Sequence, residues 1–508
     1  MFAPMDAESF LRVSDQFRLG ELVTEQPHPE TVGLAELARH DLPRAIAAFH
    51  RVDLLALQRL GERLGPLPEL VEAIRAALQR GGRIFLCGCG ATGRLALSLE
   101  TLAREAWLPA DAAGRVIGFM AGGDAALIRS IEAFEDHPEH GVRQLRELGF
   151  GADDLLLAIT EGGETPFVIG ACLEAATLAR QPPWFLFCNP PEPLGRIAAR
   201  ARRVLESPRV RPFCLEVGPM ALAGSTRLQA TTVQMLVAGA ALSEALGRGP
   251  AVSLIGAFRR AVEEQDPGTL APLIGAEASV YAGDGLVLYQ TDHYGITVLT
   301  DTTERSPTFS LAPFENRFSP ADPPSPCYLA LPRAAGAAEA WERLLGRPPR
   351  TLEWPELGGR ASLQYLLGHD ISAAAGEWRA ERHPGRRQAV YTVRGPAPAL
   401  EFAGHSVRLA GAEQPLLVRH LLVKLALNLQ STLVMGRLGR FESNLMTRVR
   451  PSNHKLVDRA ARHVQHHHLQ RTGIPLPYPA AVRRVFASIK EETEGRQPSV
   501  SSGQVESL

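Results

Sequence analysis

Two hydrophobic periods alternate along the chain. Residues 66–80, "PLPELVEAIRAALQR", set Leu70, Val71, Ile74, Ala77 and Leu78 on one face, with prolines at the entry and Gly81-Gly82 beyond the exit. That spacing predicts an amphipathic helix. It runs into the short apolar stretch "RIFLCG" (83–88), and similar stretches follow at 115–122 ("RVIGFMAG"), 154–160 ("DLLLAIT") and 184–189 ("WFLFCN"). Segments with helical periodicity separate them. Strands apolar on both faces, alternating with helices, predict a parallel sheet covered on both sides. "FCLEVG" at 213–218 is placed to close it.

Near residue 250 the pattern restarts. A helical stretch leads to "GLVLYQ" (285–290), "PCYLALP" (326–332), "TLEWPEL" (351–357) and "QAVYTV" (388–393), each expected to be a strand. Two similar lobes imply an internal duplication. The expected organisation is an N-terminal helical segment (1–60), a first lobe (61–250), a second lobe (251–455), a C-terminal helical segment (456–490) and a polar tail (491–508) expected to be disordered. Residues 318–326 and 382–397, rich in Pro or in Gly, Arg and Pro, are expected as surface loops.

Composition narrows the function classes. The 508 residues are 45% hydrophobic and 21% charged, with formal net charge −1, so no overall field draws the chain to nucleic acid or an anionic membrane. No stretch reaches the roughly 18 apolar residues of a membrane helix. The N-terminus lacks a signal-peptide pattern. Cys87, Cys89, Cys172, Cys188, Cys214 and Cys327 lack zinc-site spacing and sit mostly in apolar runs. A reducing, cytoplasmic setting is the expectation.

The candidate chemistry begins at "GCGATGRL", where Gly88, Gly90 and Gly93 form G-x-G-x-x-G between a strand and a helix. This is also the dinucleotide fingerprint, which wants an acidic residue about 20 positions on. Asp124 at the end of the next predicted strand lies 36 positions after Gly88 (124 minus 88), a poor fit to a ribose. What remains is a glycine turn whose amides, with those of Ala91 and the helix N-terminus, make a nest for phosphate, and Thr92 and Arg94 are placed to add donors. The alternative is a purely structural strand-to-helix turn.

Several segments carry a resemblance. "GCGATGRL", "AGGDAALIRSIEAFEDHPEHG" (121–141), "TPFVIGA" (165–171), "VGPMALAGSTRLQATTVQ" (217–234) and "LVTEQPHPETV" (22–32) together resemble the sugar isomerase (SIS) domain of N-acetylmuramic acid 6-phosphate etherases. "TDTTERSPTF" (300–309) and the stretch 424–460 resemble the same family again. Two SIS lobes in one chain are the arrangement of the glucokinase regulatory protein. The implied fold is α/β: two flavodoxin-like SIS lobes, each a mostly parallel sheet with helices on both faces, joined as an internal pseudo-dimer.

The lobes depart from the etherase pattern in opposite directions. The family's catalytic acid, a glutamate eight residues after the loop arginine, falls on Leu102 in the first lobe and on Glu304 in the second. In the second lobe the loop becomes "QTDHYG" and the arginine becomes Ile296. "GSTR" (Gly224, Ser225, Thr226, Arg227), which the family uses around the sugar phosphate, occurs only in the first lobe. The lysine of the following family helix occurs only in the second, as Lys424, with Met235 at its counterpart. Eight residues of helix carry a side chain about 12 Å from an anion at the N-terminus, too far for the same lobe's ligand but suited to reach across a two-fold interface. The expectation is one composite site per chain, cradle from the first lobe and acid from the second.

The resemblance also places Glu135 at the family's other catalytic glutamate. Glu132 lies three residues earlier and is expected on the same helix face as a sugar contact. Etherase chemistry removes the C2 proton, expels lactate from C3 and hydrates the product. Two carboxylates suffice, here Glu304 as acid and Glu135 as base, with no metal or organic cofactor. The second phosphate turn, "TEGGETPF", has Gly162 at the etherase serine and Glu164 at its arginine. Thr160 and Thr165 are expected to supply hydroxyls, while Glu161 and Glu164 would weaken phosphate binding unless they point away.

Two function classes follow. One is a lyase acting on an N-acetylmuramic acid 6-phosphate-like sugar. The other is a non-catalytic sugar-phosphate sensor that binds a sugar kinase, as the regulatory relative does. A nicotinamide oxidoreductase ranks behind both. His463, His466 and His467 have metal-compatible spacing but no further ligand nearby, and are expected on a solvated helix. Arg448, Arg450 and Lys455 are expected as a packed helix end rather than a nucleic-acid patch.

Overall fold

The computed structural model describes residues 6–17, 19–131, 134–447 and 454–493. The expected tail from 494 on, Glu132, Arg448 and Arg450 lie outside the described residues. The first lobe is a five-stranded, wholly parallel sheet of β1 (Ile84–Gly88), β2 (Val116–Met120), β3 (Leu155–Ile159), β4 (Trp184–Phe187) and β5 (Arg211–Cys214), ordered β2-β1-β3-β4-β5. Every residue of β1 to β4 is buried, as continuous apolar strands between helix layers must be. The strand order reverses between β1 and β3, which is where an open sheet of this type holds its ligand. The turns after those two strands are Gly88–Gly93 and Thr160–Thr165.

The second lobe keeps only part of this plan. β6 (Leu286–Gln290), β7 (Cys327–Ala330) and β8 (Gln388–Arg394) are parallel, and β9 (Ala399–Phe402) and β10 (His405–Arg408) then add antiparallel, giving the order β10-β9-β8-β6-β7. The sequence explains the switch. In β8, Tyr391 and Val393 are buried while Val390 is 47% exposed, an alternation suited to a sheet with one wet face. Ala403 and Gly404, both at positive φ, form the two-residue hairpin turn. The loop expected over 382–397 is therefore interrupted by β8.

The strand expected at 351–357 does not form. Pro355 removes a ladder donor, and the segment instead straps across the first lobe, burying Leu352, Trp354 and Leu357 in that lobe's apolar cluster with Phe134 and Phe167. The Trp354 ring stacks on Phe134 at 5.5 Å, lies under the Arg143 guanidinium at 3.8 Å, and donates through Nε1 to Glu147 at 2.9 Å. Upstream, Arg347 and Arg350 grip buried Glu100 and Asp124 of the first lobe.

Helices Gly90–Leu102 and Gly295–Phe309 meet at the lobe junction, as do Gln229–Ala245 and Leu416–Arg437. Ile84 and Leu286 open the two central strands 202 residues apart (286 minus 84), and the same offset relates Arg94 to Ile296 and Leu102 to Glu304. Outside the lobes, Ala7–Val13, His454–Thr472 and Tyr478–Thr493 share a small core around Phe10, Val457 and Val482.

Helix Leu42–Gly61 carries a buried carboxyl, Asp53, against the junction, where it accepts from Gln229 Nε2 at 2.7 Å. Burial raises it from its ordinary 3.8 to about 7, against the pull of Gln229 and Lys424. The folded chain thus holds this proton more tightly than the unfolded one, and the resulting penalty grows from about pH 4 and is complete above about pH 7. Asp53→Asn is expected to stabilise the protein by about 4 kcal/mol at pH 8 and by little at pH 4, read from urea midpoints at the two values. Equal gains at both would show that the proton is not involved.

Candidate functional site

The turn after β1 is built by its own side chains. Cys89 N donates to Thr92 Oγ1 at 3.0 Å and Thr92 Oγ1 donates back to Cys89 O, closing a cap at the start of helix Gly90–Leu102. A Cβ at Gly88 would lie 2.3 Å from the Thr92 carbonyl carbon, and one at Gly93 2.4 Å from Met120 Cβ, so both glycines are needed for the turn itself. Gly90, at φ +52, turns the chain into the helix. The first helical amides, from Gly90 and Ala91 onward, are those a helix leaves without internal acceptors.

The second turn follows β3. Thr160 and Thr165 share a hydroxyl–hydroxyl bond of 2.9 Å, Gly163 N donates to Thr160 Oγ1 at 3.3 Å, and Asn189 Nδ2 donates to Gly162 O at 3.2 Å. Glu164 is turned into an ion pair with Arg200 (2.5 Å), with Lys455 3.5 Å away; these cations hold its carboxyl below the ordinary range although burial opposes them. Glu161 behaves differently. It is 5% exposed, it accepts from the Thr231 hydroxyl at 3.4 Å, and burial, then the Glu304 and Glu135 carboxyls, raise it to about 7 against the pull of Lys455 and its own backbone amide.

The third turn is the GSTR segment. Gly224 N bonds Thr24 O at 3.1 Å, tying in the N-terminal "TEQ" stretch, and the buried Ser225 hydroxyl has no partner among the described residues. Thr226 O accepts from Thr231 Oγ1 at 2.5 Å. Arg227 points to the second lobe, bonding Asp301 (2.9 Å), Ser431 and Thr432. Lys424 reaches back the other way: its ammonium donates to Arg227 O, Leu228 O, Thr232 Oγ1 and Asn428 Oδ1 within 2.7–3.3 Å. Its three protons are thereby taken up in clamping the lobes together.

Glu304 crosses the junction. Its Oε1 lies 2.6 Å from Arg94 Nη1 of the first lobe's loop helix, in a pair almost fully buried. Arg94 also bonds Thr303 Oγ1, Ala126 O and Leu127 O, so it anchors the junction as much as it faces the turn. Glu135 meets the same turn from within the first lobe, its Oε2 accepting from Cys89 Sγ at 3.0 Å. Burial first, then Asp136, raise its carboxyl, against Lys455 and the Cys89 thiol. Phe134–Asp136 is a single turn, and the following helix starts at Pro138; the helix face expected to be shared with Glu132 reaches outside the described residues.

In the second lobe the corresponding turn is closed on itself. Thr291 Oγ1 accepts from the His293 and Tyr294 amides, and the Tyr294 ring is buried with its hydroxyl on Pro396 O. Amides satisfied internally offer no nest for an anion.

Sequence reasoning missed the contribution of the C-terminal helix. The first turns of His454–Thr472 lie against the first lobe: His454 bonds Asp136 (2.8 Å), Lys455 faces Glu164, and Arg459 forms a two-pronged pair with Glu25 at 2.7 and 2.9 Å. The i, i+4 spacing of Lys455 and Arg459 was the available signal. His463 is half-buried rather than solvated, and burial lowers it to about 3. Among the described residues no three His, Cys, Asp or Glu side chains converge to hold a metal, and no helix is long and apolar enough to cross a membrane.

Glycine turn, switch-point crevice and a paired second lobe define an SIS-domain α/β protein. Residues 67–177 match the glucokinase regulatory protein N-terminal SIS domain. The chain is 36% identical over 220 residues to the N-acetylmuramic acid 6-phosphate etherase of Enterobacter sp. (strain 638), covering 43% of this chain and 68% of that one, and 34% identical over 224 residues to the etherase of Pectobacterium atrosepticum, covering 44% and 68%. It belongs to the N-acetylmuramic acid 6-phosphate etherase family. Among solved structures, a putative phosphosugar isomerase from Silicibacter pomeroyi DSS-3 aligns with a TM-score of 0.41 at 12% identity, over 78% of this chain and 99% of that one.

Proposed function

We propose that this protein binds a sugar phosphate in the first lobe's crevice and cleaves the D-lactyl ether of N-acetylmuramic acid 6-phosphate or a close analogue. The observation that carries the reading is Glu304 of the second lobe standing 2.6 Å from Arg94, beside the first lobe's glycine turn. The phosphate binds at the amides of Gly88–Gly93, with Ser225, Thr226 and the Thr160–Thr165 pair as hydroxyl donors. The missing side chain at Gly224 makes room for the Arg459–Glu25 ion pair against the third turn, and Lys424 and Arg227 hold the two lobes in register.

Glu135 takes the C2 proton. Its raised carboxyl is a stronger base than an exposed one. When ligand opens the Arg94 pair, Glu304 takes up a proton from water and delivers it to the C3 ether oxygen, and the C3–O bond breaks to release lactate. Water then adds at C3 of the unsaturated sugar, restoring both carboxyl groups to their starting states. The wild-type protein is expected to release D-lactate from N-acetylmuramic acid 6-phosphate, and Glu135→Gln to lower the rate by about 10²–10⁴-fold while N-acetylglucosamine 6-phosphate still raises the unfolding temperature.

The second reading, a sugar-phosphate sensor for a sugar kinase, is favoured by the Arg94–Glu304 pair itself. The acid role requires that pair to loosen when ligand arrives; a pair that stays closed binds without turnover. Ligand protection without lactate release, together with ligand-dependent inhibition of a sugar kinase, decides for the sensor.

A further inference from the structure

Five carboxyl groups come together around the first-lobe crevice, and four have committed partners. Glu164 has Arg200 and Lys455, Glu25 has Arg459, Glu304 has Arg94, and Glu135 has the Cys89 thiol. Glu161 is the exception: among the described residues no cation lies within ion-pair distance, and the Thr231 hydroxyl beside it has a shorter bond to Thr226 O. A hydroxyl has one proton to give. The next turn offers the Ser225 hydroxyl, also buried and without a partner.

Glu161 belongs to the Thr160–Thr165 turn read as part of the phosphate site, and a carboxylate and a phosphate without an intervening cation repel. We propose, building on the sugar-phosphate reading of this site, that Glu161 is its specificity-determining group. It stays a neutral carboxylic acid in the complex and donates its O–H to an anionic oxygen of the ligand, so that the crevice selects anionic sugars only while that proton is in place.

The groups acting on Glu161 support this. Cys89 lies on the turn after β1 and Cys188 after β4, Glu135 and Glu304 act on Glu161 from the two lobes, and Lys455, shared with Glu164, is the cation that draws on it among the described residues. Burial is the largest influence, and the balance raises Glu161 to about 7. Proton uptake per anion bound therefore rises from about half a proton at pH 7 to nearly one at pH 8.5, and affinity falls as pH rises.

The phosphate group titrates near the same range, so the test uses a probe of fixed charge. N-acetylglucosamine 6-sulfate is titrated calorimetrically between pH 5.5 and 8.5 against wild type, Glu161→Gln and Glu161→Ala, with N-acetylglucosamine 6-phosphate in parallel. Wild-type affinity is expected to weaken about tenfold per pH unit above neutrality. Glu161→Gln, which keeps a donor but cannot ionise, is expected to bind with a flat profile at the wild type's low-pH affinity. Glu161→Ala is expected to be flat but weaker, having lost the donor. A wild-type profile that is flat, or a slope that survives in Glu161→Gln, overturns the role of Glu161 and leaves the sugar-phosphate site standing. Absence of binding by all three proteins for both probes at every pH overturns the site reading and this inference with it.

Discussion

Glu304→Gln is expected to abolish measurable lactate release, a loss of about 10²–10⁴-fold, and to destabilise the protein at the same time. The second effect follows from the geometry. Arg94 and Glu304 are both nearly inaccessible and only 2.6 Å apart. Removing one partner of such a pair leaves an uncompensated buried charge, at a cost of about 3–5 kcal/mol. The variant therefore needs two readouts, lactate production at 15 °C, where it remains folded, and the urea midpoint. A variant that loses lactate release but not stability would mean that the pair is not closed in solution. One that loses stability but keeps activity would remove Glu304 from the chemistry.

The second large effect is expected at Glu100. This carboxyl, in the interior of helix Gly90–Leu102, accepts from the Gly118 amide at 3.1 Å and from Arg347 and Arg350 of the strap at 2.7–3.1 Å, with Arg104 also 3.1 Å away. Burial pushes it up, but Arg347 and Arg350 outweigh that and hold it ionised. Glu100→Gln keeps the shape and removes the charge, leaving the Arg347 guanidinium to Asp124 and that of Arg350 to the neutral Gly118 carbonyl. The expected loss is about 3–5 kcal/mol in the first denaturation transition, with faster proteolytic cleavage between residues 346 and 361. A loss below about 1 kcal/mol, the range of an exposed ion pair, would show that the strap is held by Trp354 and its apolar neighbours instead.

The first lobe was legible because continuous apolar stretches bounded by glycine turns have few other solutions than a covered parallel sheet. The strap was not. Leu352, Trp354 and Leu357 have a spacing that fits a strand equally well, and only their burial against Phe134 distinguishes the two. At the site, the glycine turn could be read directly, whereas Glu304 was reached only through the resemblance and the offset between the lobes. The three-residue spacing of Glu132 and Glu135 predicts a shared helix face, a reading that reaches outside the described residues. Lys455 and Arg459 gave a weak signal because their partners, Glu164 and Glu25, lie some 290 and 434 residues away (455 minus 164 is 291) and belong to different parts of the chain.

The positions related to Arg94 and Glu304 by the offset between lobes hold Ile296 and Leu102, both buried and apolar. In an association of identical subunits every substitution appears twice, so a change that improves one crevice is imposed on the other. Covalent joining lifts that constraint. Each half is free to mutate by itself, and an oily pair on one side of the pseudo-axis coexists with a charged pair on the other. Two lobes of one plan thereby carry unlike chemistry at related positions, charged on one side and apolar on the other.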